Sequence, residues 1–299
     1  MALQESGPIS LQDIHAEFGG PTPIVLSNYY RGGSYVPDSS LNTTIPTSGV
    51  ISIQDFYGAS NDKLVSQHSM EFIRGSDDRW FGGSFSGGRK YEGVLTQGFN
   101  YQPTSFSCSA WVYPYSFNGQ QIFTKDAVWG ANFDRSFQFR LDSDGALTLI
   151  LFDDIDIYST SSQVPTNQWS QVIAIYDHGQ GEVRLYINGE LENTFTHTAS
   201  TNWKSDWPLS IGTRYSEEND ESLYYDEWFD GKIFDPRLYG KVLSQTEIDY
   251  LQTEYPPVDG LIGHWPFNSS DGEDVFDATN NNNHGSLVND PEYDSDTPF

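Results

Sequence analysis

Pairs of carboxylates are the first residues to test for chemistry, because the sequence holds 42 Asp and Glu side chains. Retaining glycosidases place two carboxyl groups about 5 Å apart, a separation that even spacing on one strand face can provide. Glu247 and Asp249 have that spacing, but Glu254 follows at an odd interval. Asp154 and Asp156 share a predicted strand face without a neighbouring Glu. The carboxylate pattern therefore does not favour a hydrolase, and we expect no enzymatic activity.

Nucleophilic and zinc chemistry are also disfavoured by the residue pattern. The single cysteine, Cys108, lies in a predicted strand and is expected to be a small buried apolar side chain. The sequence has no Gly-x-Ser-x-Gly motif, and its six histidines lack the His-Glu-x-x-His spacing of a zinc site. The sequence therefore offers no candidate catalytic residue.

Calcium is the metal that the acidic loops could bind, since it prefers carboxylate and carbonyl oxygens. The candidate ligands lie in three loops and are Asp77, Asp78, Asp220 and Asp277. No EF-hand spacing is present. Solvated surface charge explains the same clusters in a chain this acidic, so both interpretations stay open.

Aromatic residues make up 15% of the chain, and several fall between predicted strands. Aromatic rings beside polar groups at loop tips form stacking surfaces for sugars. The candidate residues of such a glycan platform are Trp129, Trp203, Trp207, Tyr224, Tyr225 and Trp228. The alternative is that these rings cover sheet edges or contacts between subunits.

Charge and hydropathy exclude several classes of partner. The formal net charge of −27 repels phosphate backbones, so we expect no nucleic acid partner. No apolar run approaches the roughly 20 residues that cross a bilayer, so we expect no membrane insertion. The N-terminus shows no secretion signal, and one cysteine excludes an internal disulfide. We expect a soluble protein made in a cytoplasm.

Strand periodicity begins near Leu64 and dominates the remainder of the chain. Apolar and polar residues alternate over 106–113 and 137–151, with a turn at 142–145. Residues 171–176 are apolar on both faces, as in a central strand, and Asn188-Gly189 predicts a tight hairpin. A capping box at Ser244 predicts one helix. The pattern predicts a mainly β, antiparallel jelly-roll sandwich.

Residues 1–60 differ from this pattern and contain a near repeat. Ile-Ser-Leu-Gln-Asp at residue 9 recurs as Ile-Ser-Ile-Gln-Asp 42 residues later, and each copy places a Ser where it can cap a short helix. Helices this short need partners to be stable. The segment is either a small subdomain packed on the main body or a docking module, whose anchoring residues are Leu11, Ile14, Phe18, Tyr29, Tyr30, Phe56 and Tyr57.

Residues of about 105–255 resemble the laminin-G-like, concanavalin-A-like jelly-roll family. The similarity is carried by Phe106–Val112, Asn167-Gln-Trp169, Arg184–Glu190 and Leu209–Gly212. It implies a sandwich domain over 61–258 and loops of the kind that bind calcium in this family. Pro236 departs from the pattern at a strand position, which predicts an edge strand or a bulge there.

Residues 1–60 are similar to N-terminal segments of tail and other structural proteins of tailed bacteriophages. Tyr29–Ser34 and Ile51–Gly58 carry this resemblance together with the first repeat. It implies a non-enzymatic virion protein, anchored to other virion proteins through residues 1–60 and forming a homo-oligomer in the particle. Its lectin-like domain would face outward towards host cell-surface polysaccharide, as in a tail, baseplate or neck fibre. The alternatives are a capsid decoration protein and a polysaccharide-degrading enzyme.

The C-terminal segment, residues 259–299, carries a family feature in an unexpected place. Leu261–Phe267 and Asn283–Leu287 resemble the segment that normally opens a laminin-G-like domain, yet here they follow the closing helix. We predict that this segment returns to complete the sandwich of its own chain. The rival is donation of the strand to a neighbouring subunit.

Overall fold

The chain forms two antiparallel sheets preceded by a small unit of short helices. The computed structural model describes residues 3–4, 7–20, 22–31, 33, 35–36, 42, 44–59, 68–72, 92–96, 98–117, 120–129, 132–151, 156–197, 203, 207–216, 228–252, 259–267, 274–279, 281–288 and 291–299. In the described part, no helix is long and apolar enough to cross a membrane.

Seventeen strands are described. In chain order they are β1 (Ser69–Phe72), β2 (Gly93–Thr96), β3 (Phe106–Pro114), β4 (Gln120–Trp129), β5 (Asn132–Leu141), β6 (Ala146–Leu151), β7 (Asp156–Gln163), β8 (Ser170–Asp177), β9 (Glu182–Ile187), β10 (Glu190–Thr196), β11 (Leu209–Ile211), β12 (Tyr215–Ser216), β13 (Gly231–Tyr239), β14 (Leu261–His264), β15 (Asp274–Val275), β16 (Gly285–Val288) and β17 (Glu292–Asp294).

The strands divide into an eight-stranded and a nine-stranded sheet. The first has the order β10-β9-β8-β3-β13-β1-β17, with β14 also paired to β13. The second has the order β15-β16-β2-β11-β4-β5-β6-β7, with β12 also paired to β4. Apolar side chains of both inner faces form one core, in which Phe106, Phe137 and Leu149 are fully buried. The jelly-roll prediction is confirmed.

Local signals in the sequence set several of the connections. Asn188 and Gly189 adopt positive φ angles of 51° and 78° and join β9 to β10, as the Asn-Gly pair predicts. Strand β8 lies between β3 and β9, which confirms its central position. Cys108 is buried, and burial raises the pKa of its thiol well above the ordinary value.

Pro236 lies at a bulge inside β13. The register against β3 shifts between Phe234 and Arg237, and Asp235 has a φ of 55°. The bulge turns a charged group into the structure, because the Asp235 carboxylate pairs with Arg237 Nε at 2.8 Å and with His264 Nε2 at 2.7 Å. The bulge predicted at this proline is confirmed.

Helix α2 (Gln245–Tyr250) closes part of the outer face of the eight-stranded sheet. Its predicted capping box is present, since the Ser244 hydroxyl accepts from the Glu247 amide and the Glu247 side chain accepts from Ser244 in return. Ile248 and Leu251 pack on Ile173 and Tyr186 of the sheet. The helix therefore buries apolar residues that an isolated sandwich would expose.

The C-terminal segment is part of both sheets of its own chain. Strand β14 pairs with β13, β16 with β2 and β17 with β1. Trp265 follows β14 and is fully buried in the main core, where its indole nitrogen donates to Asn283 O at 2.8 Å. The segment therefore supplies strands to each sheet and a large side chain to the space between them.

The N-terminal segment has a hydrophobic core of its own. Helix α1 (Leu11–Phe18) begins at a capping box between Ser10 and Asp13, and a short 3-10 helix (Ile53–Phe56) begins at the equivalent box between Ser52 and Asp55. A third short helix, Leu26–Asn28, has no side-chain cap. The core is formed by Leu3, Ile14, Phe18, Tyr29, Val36, Ile45, Phe56 and Ala59.

Candidate functional site

Three side chains of the predicted glycan platform are described, those of Trp203, Trp207 and Trp228, so the platform stays a prediction. Trp203 packs its ring on Phe106 and Phe137, with centroids 5.4 and 6.0 Å away, and donates its indole N–H to Pro103 O. That ring is partly buried and packs against the core. Trp207 and Trp228 are half-buried, and Trp129 ends β4 without a described side chain. Tyr224 and Tyr225 lie outside the described residues.

Asp277, a predicted calcium ligand, organises the loop before β16. Its carboxylate accepts hydrogen bonds from the backbone amides of His264, Thr279 and Asn283 and from the Thr279 hydroxyl, at 2.7 to 3.0 Å. These four donors satisfy the buried carboxylate, and calcium binding at Asp277 stays a prediction. Asp77, Asp78 and Asp220 lie outside the described residues, so calcium there stays a prediction. Within the described residues no group of three or more metal-binding side chains is found.

The anchoring residues predicted in the N-terminal segment divide into two groups. Ile14, Phe18, Tyr29 and Phe56 are buried and stabilise the segment itself. The remaining three are partly exposed, namely Leu11, Tyr30 and Tyr57. Any anchoring surface formed by the predicted residues is therefore restricted to these three.

A connected set of polar side chains crosses the outer face of the nine-stranded sheet, the face turned away from the other sheet. Phe137, Phe139 and Leu141 of β5 point into the core, so the alternate residues of this strand point outward. The same alternation in β6 places Thr148 on the outer face. We call this set the polar network, and its members are Asp126, Gln138, Arg140, Asp142, Thr148, Ser159 and Arg214.

One end of the polar network is closed. Arg214 Nη2 lies 2.7 Å from Asp126 Oδ2, and both side chains are almost fully buried. Gln138 Nε2 donates to the same carboxylate oxygen at 2.7 Å. A buried carboxylate needs hydrogen-bond donors, and Gln138 is one of the donors to Asp126. The enclosed ion pair therefore fixes the position of the Gln138 amide.

The other end of the polar network is open to solvent. Arg140 Nη2 lies 2.7 Å from Asp142 Oδ1, and these side chains are 21% and 25% exposed. The Thr148 hydroxyl donates to Asp142 Oδ2 at 2.8 Å, so the 2.8 Å contact between Thr148 and Ser159 must have the serine as donor. Asp142 is therefore held from two sides, while part of each charged group remains accessible.

Gln121 borders the polar network with an amide that has no partner. It faces Arg140 across the β4–β5 pair and is fully buried. Neither its Oε1 nor its Nε2 forms a hydrogen bond within the described structure. A buried unpaired amide costs about 1–3 kcal/mol, which a polar group placed against it would recover.

The polar network is not predicted from the sequence, although the alternation of its β5 residues is visible there. Outward-facing polar residues of a strand are usually assigned to solvent, so Gln138 and Arg140 attract no attention in the sequence. Arg214 and Asp126 are 88 positions apart and meet only through the pairing of β12 with β4. The ion pair therefore depends on strand order, which one sequence does not specify.

Comparison with solved structures finds other proteins that share this fold. A putative carbohydrate binding protein from Bacteroides ovatus superposes with a TM-score of 0.55 at 17% identity, over 77% of this chain and 60% of that one. A SAP-like pentraxin from Limulus polyphemus has a TM-score of 0.47 at 15% identity, covering 63% and 83% of the two chains. The sialidase module CBM40 of Ruminococcus gnavus, bound to sialyllactose, has a TM-score of 0.45 at 17% identity, covering 63% and 100%.

These identities show a shared fold and nothing finer, and this chain matches only 60% of the Bacteroides protein's length. A comparison with curated proteins returned no match. The family comparison is more specific, because residues 75–249 match the model described as Laminin_G_3. That match covers more than half of the chain, which therefore belongs to the concanavalin A-like lectin/glucanases superfamily.

Proposed function

We propose that this protein is a non-enzymatic carbohydrate-binding protein and that the polar network is its sugar-binding surface. The observation that carries the proposal is the open end of the network, where the partly exposed Arg140–Asp142 pair lies beside the unpartnered amide of Gln121. Sugar hydroxyls both donate and accept hydrogen bonds, and this cluster offers donors and acceptors side by side.

The closed end of the network supports the proposal by ordering the open end. The Asp126–Arg214 pair holds Gln138, and Gln138 Oε1 lies 3.5 Å from Arg140 Nη1. Side chains that are already oriented lose little conformational freedom when a ligand binds, and this raises affinity. The Bacteroides protein of the same fold is described as a putative carbohydrate binding protein, which agrees with the function proposed for this chain.

The polar network is better suited to binding than to hydrolysis. Hydrolysis requires one carboxyl group to remain protonated as the general acid. Asp126 and Asp142 each form an ion pair with an arginine at 2.7 Å, so both carboxylates of the network are already engaged as hydrogen-bond acceptors. We therefore also propose that the protein has no glycosidase activity.

A glycan array read with full-length protein tests the binding surface. We expect Arg140→Ala to weaken binding to the glycans held by the polar network by at least tenfold, about 1.4 kcal/mol, because a charged donor to the sugar is lost. Arg184→Ala is the matched control, since Arg184 also forms an ion pair, with Asp177, and has nearly the same exposure on the eight-stranded sheet. Equal signals from the two variants would contradict the proposed site.

The N-terminal resemblance supports a finer proposal, that the protein is a structural component of a tailed-phage virion. Residues 1–60 would join it to other virion proteins, and the sandwich would face host polysaccharide. The segment has its own core, so its deletion should leave the sandwich folded. We expect the variant lacking residues 1–60 to keep its glycan array signal and its sandwich melting transition but to be absent from assembled particles. Incorporation of the deleted form at normal copy number would refute the anchoring role.

A further inference from the structure

A continuous row of aromatic rings lies on the outer face of the eight-stranded sheet. Cys108, Ala110 and Val112 of β3 point into the core, so Trp111 and Tyr113 point the opposite way. We call this set the aromatic row, and its members are Trp111, Tyr113, Tyr115, Trp169, Phe234 and Phe299.

Neighbouring rings of the aromatic row touch one another. Tyr113 lies 5.8 Å from Tyr115 and 5.5 Å from Trp169, measured between ring centroids. Trp169 lies 6.2 Å from Phe234. Phe234 is buried, whereas Trp111, Tyr113, Tyr115 and Trp169 each keep part of their surface exposed. The row is therefore a supported platform rather than a set of isolated surface rings.

Unpartnered polar atoms border this platform. Gln171 lies opposite Trp111 in the β3–β8 register and is fully buried. Both atoms of its amide, and the indole nitrogen of Trp169, have no hydrogen-bond partner within the described structure. Each such group costs about 1–3 kcal/mol. The platform thus combines apolar ring faces with two donors and an acceptor that need partners.

The C-terminal strap, residues 291–299, covers one end of the aromatic row. Lys232 Nζ lies 2.7 Å from Asp294 and 3.0 Å from Asp296. These hydrogen bonds raise the pKa of Lys232 above its ordinary value, against the lowering effect of burial. The strap ends at Phe299, whose ring lies 5.3 Å from Trp111 and 6.2 Å from Phe234.

The contact made by Phe299 is weak enough to be displaced. The ring keeps 54% of its surface exposed, so it gains only part of the free energy of burial. Asp296, which holds the strap nearby, is itself half exposed, so solvent screens its ion pair with Lys232. A ligand that stacks on Trp111 more fully than Phe299 does would therefore replace it.

We infer that the aromatic row is a second carbohydrate-binding surface, which stacks a pyranose ring on Trp111 and Trp169 and on which Phe299 competes with the sugar. The ring face of the sugar would cover the aromatic surface once Phe299 is displaced. Its hydroxyls would then pair with the Gln171 amide and the Trp169 indole N–H, which are buried while Phe299 is in place. An apolar protein surface is a poorer occupant, because it would leave those polar atoms without partners. This surface shares no residue with the polar network and does not depend on it.

Two variants of the full chain test this inference on a printed glycan array. Gln171→Met removes the amide and keeps the volume, so we expect the glycan signal of the aromatic row to fall about tenfold. Thermal stability should be unchanged or higher, because an unpaired buried amide is replaced by an apolar group. Ile175→Met, on the same strand and the same outer face but beneath α2, is the matched control. Deletion of residues 297–299 should raise the same signal severalfold.

The glycans that report on the aromatic row are those still bound by Arg140→Ala. Retained binding of these glycans by Gln171→Met, or no change on deletion of residues 297–299, would overturn the inference. Loss of all binding in Arg140→Ala would overturn it too, because the second surface should act alone. Size-exclusion chromatography of the variant lacking residues 297–299 measures its oligomeric state. A dimer that forms only after this deletion would identify the aromatic row as an interface between copies and would refute the sugar site.

Discussion

His264 is enclosed beside an ion pair, and this position controls how its charge affects stability. Its Nε2 donates to Asp235 Oδ1, while Asp235 also accepts from Arg237. Burial, followed by the positive charge of Arg237, lowers the pKa of His264 to about 4. Burial alone would raise the pKa of Asp235, but Arg237 and His264 hold it well below its usual range. The bulge in β13 therefore contains a neutral histidine and an ionised carboxylate at neutral pH.

This arrangement leads to a pH-dependent stability. An unfolded histidine titrates near pH 6.5, so between about pH 6.5 and pH 4 the unfolded chain binds a proton that the folded chain does not. The free energy of unfolding should be fully retained above that window and should fall as the pH drops through it. Urea unfolding of the wild type and of His264→Gln, from pH 7 to pH 4, measures the effect.

The difference in unfolding free energy between the wild type and His264→Gln separates the contribution of His264 from that of the other titrating groups. We expect the variant to show a shallower loss of stability in that window, although it is less stable at pH 7. His178→Gln, at an exposed histidine, is the control for the substitution itself. Parallel curves for the wild type and His264→Gln would show that His264 does not titrate as its burial requires.

At the scale of single elements, the capping box is the local signal that the chain uses repeatedly. Ser10 with Asp13, Ser52 with Asp55 and Ser244 with Glu247 all form it. Each box satisfies backbone amides that a helix shorter than three turns would otherwise leave unpaired. The near repeat in the N-terminal segment therefore reflects reuse of one helix-starting device.

Helix α2 gives a quantitative test of that device. Ser244→Ala removes both the acceptor for the Glu247 amide and the hydroxyl that donates to its carboxylate, and we expect a loss of about 1 kcal/mol in unfolding free energy. Ser244→Asp should restore most of the loss, because aspartate is also a good N-cap. A loss that Ser244→Asp fails to restore would show that the hydroxyl acts through some contact other than the cap.

The elements that the sequence predicts are those with local signals, whereas contacts between residues far apart in the chain are not visible in it. The Asn188-Gly189 hairpin, the Ser244 helix and the bulge at Pro236 each follow from neighbouring residue types. Trp203 was predicted at a surface, yet its ring meets Phe106, which is almost a hundred positions away. The polar network and the aromatic row likewise join side chains from several strands. Such surfaces become visible only when the strand order is known.

At the scale of the whole molecule, closure of the sandwich depends on the last forty residues. Strands β14, β16 and β17 pair with β13, β2 and β1, so the segment contributes to both sheets. Without it, those strands would expose unpaired backbone groups, which favours aggregation. The same segment carries the C-terminal strap to the aromatic row, so completion of the fold and covering of that surface are linked through one stretch of chain.

Truncation after Tyr255 tests whether this closure stabilises the monomer itself. The truncated chain loses four strands, three of which pair with strands that remain, and it also loses the fully buried Trp265. Replacing a buried tryptophan by alanine alone costs about 3–5 kcal/mol. We therefore expect a fall in melting temperature that is independent of protein concentration, since both partners of each lost pairing belong to one chain. The deletion of residues 297–299 is the control, because it retains all described strands and should melt close to the wild type. A truncated chain as stable as the full-length protein would contradict same-chain closure. If the full-length protein instead loses stability steeply on dilution, the segment is exchanged between subunits, and the truncated chain should then lack that concentration dependence.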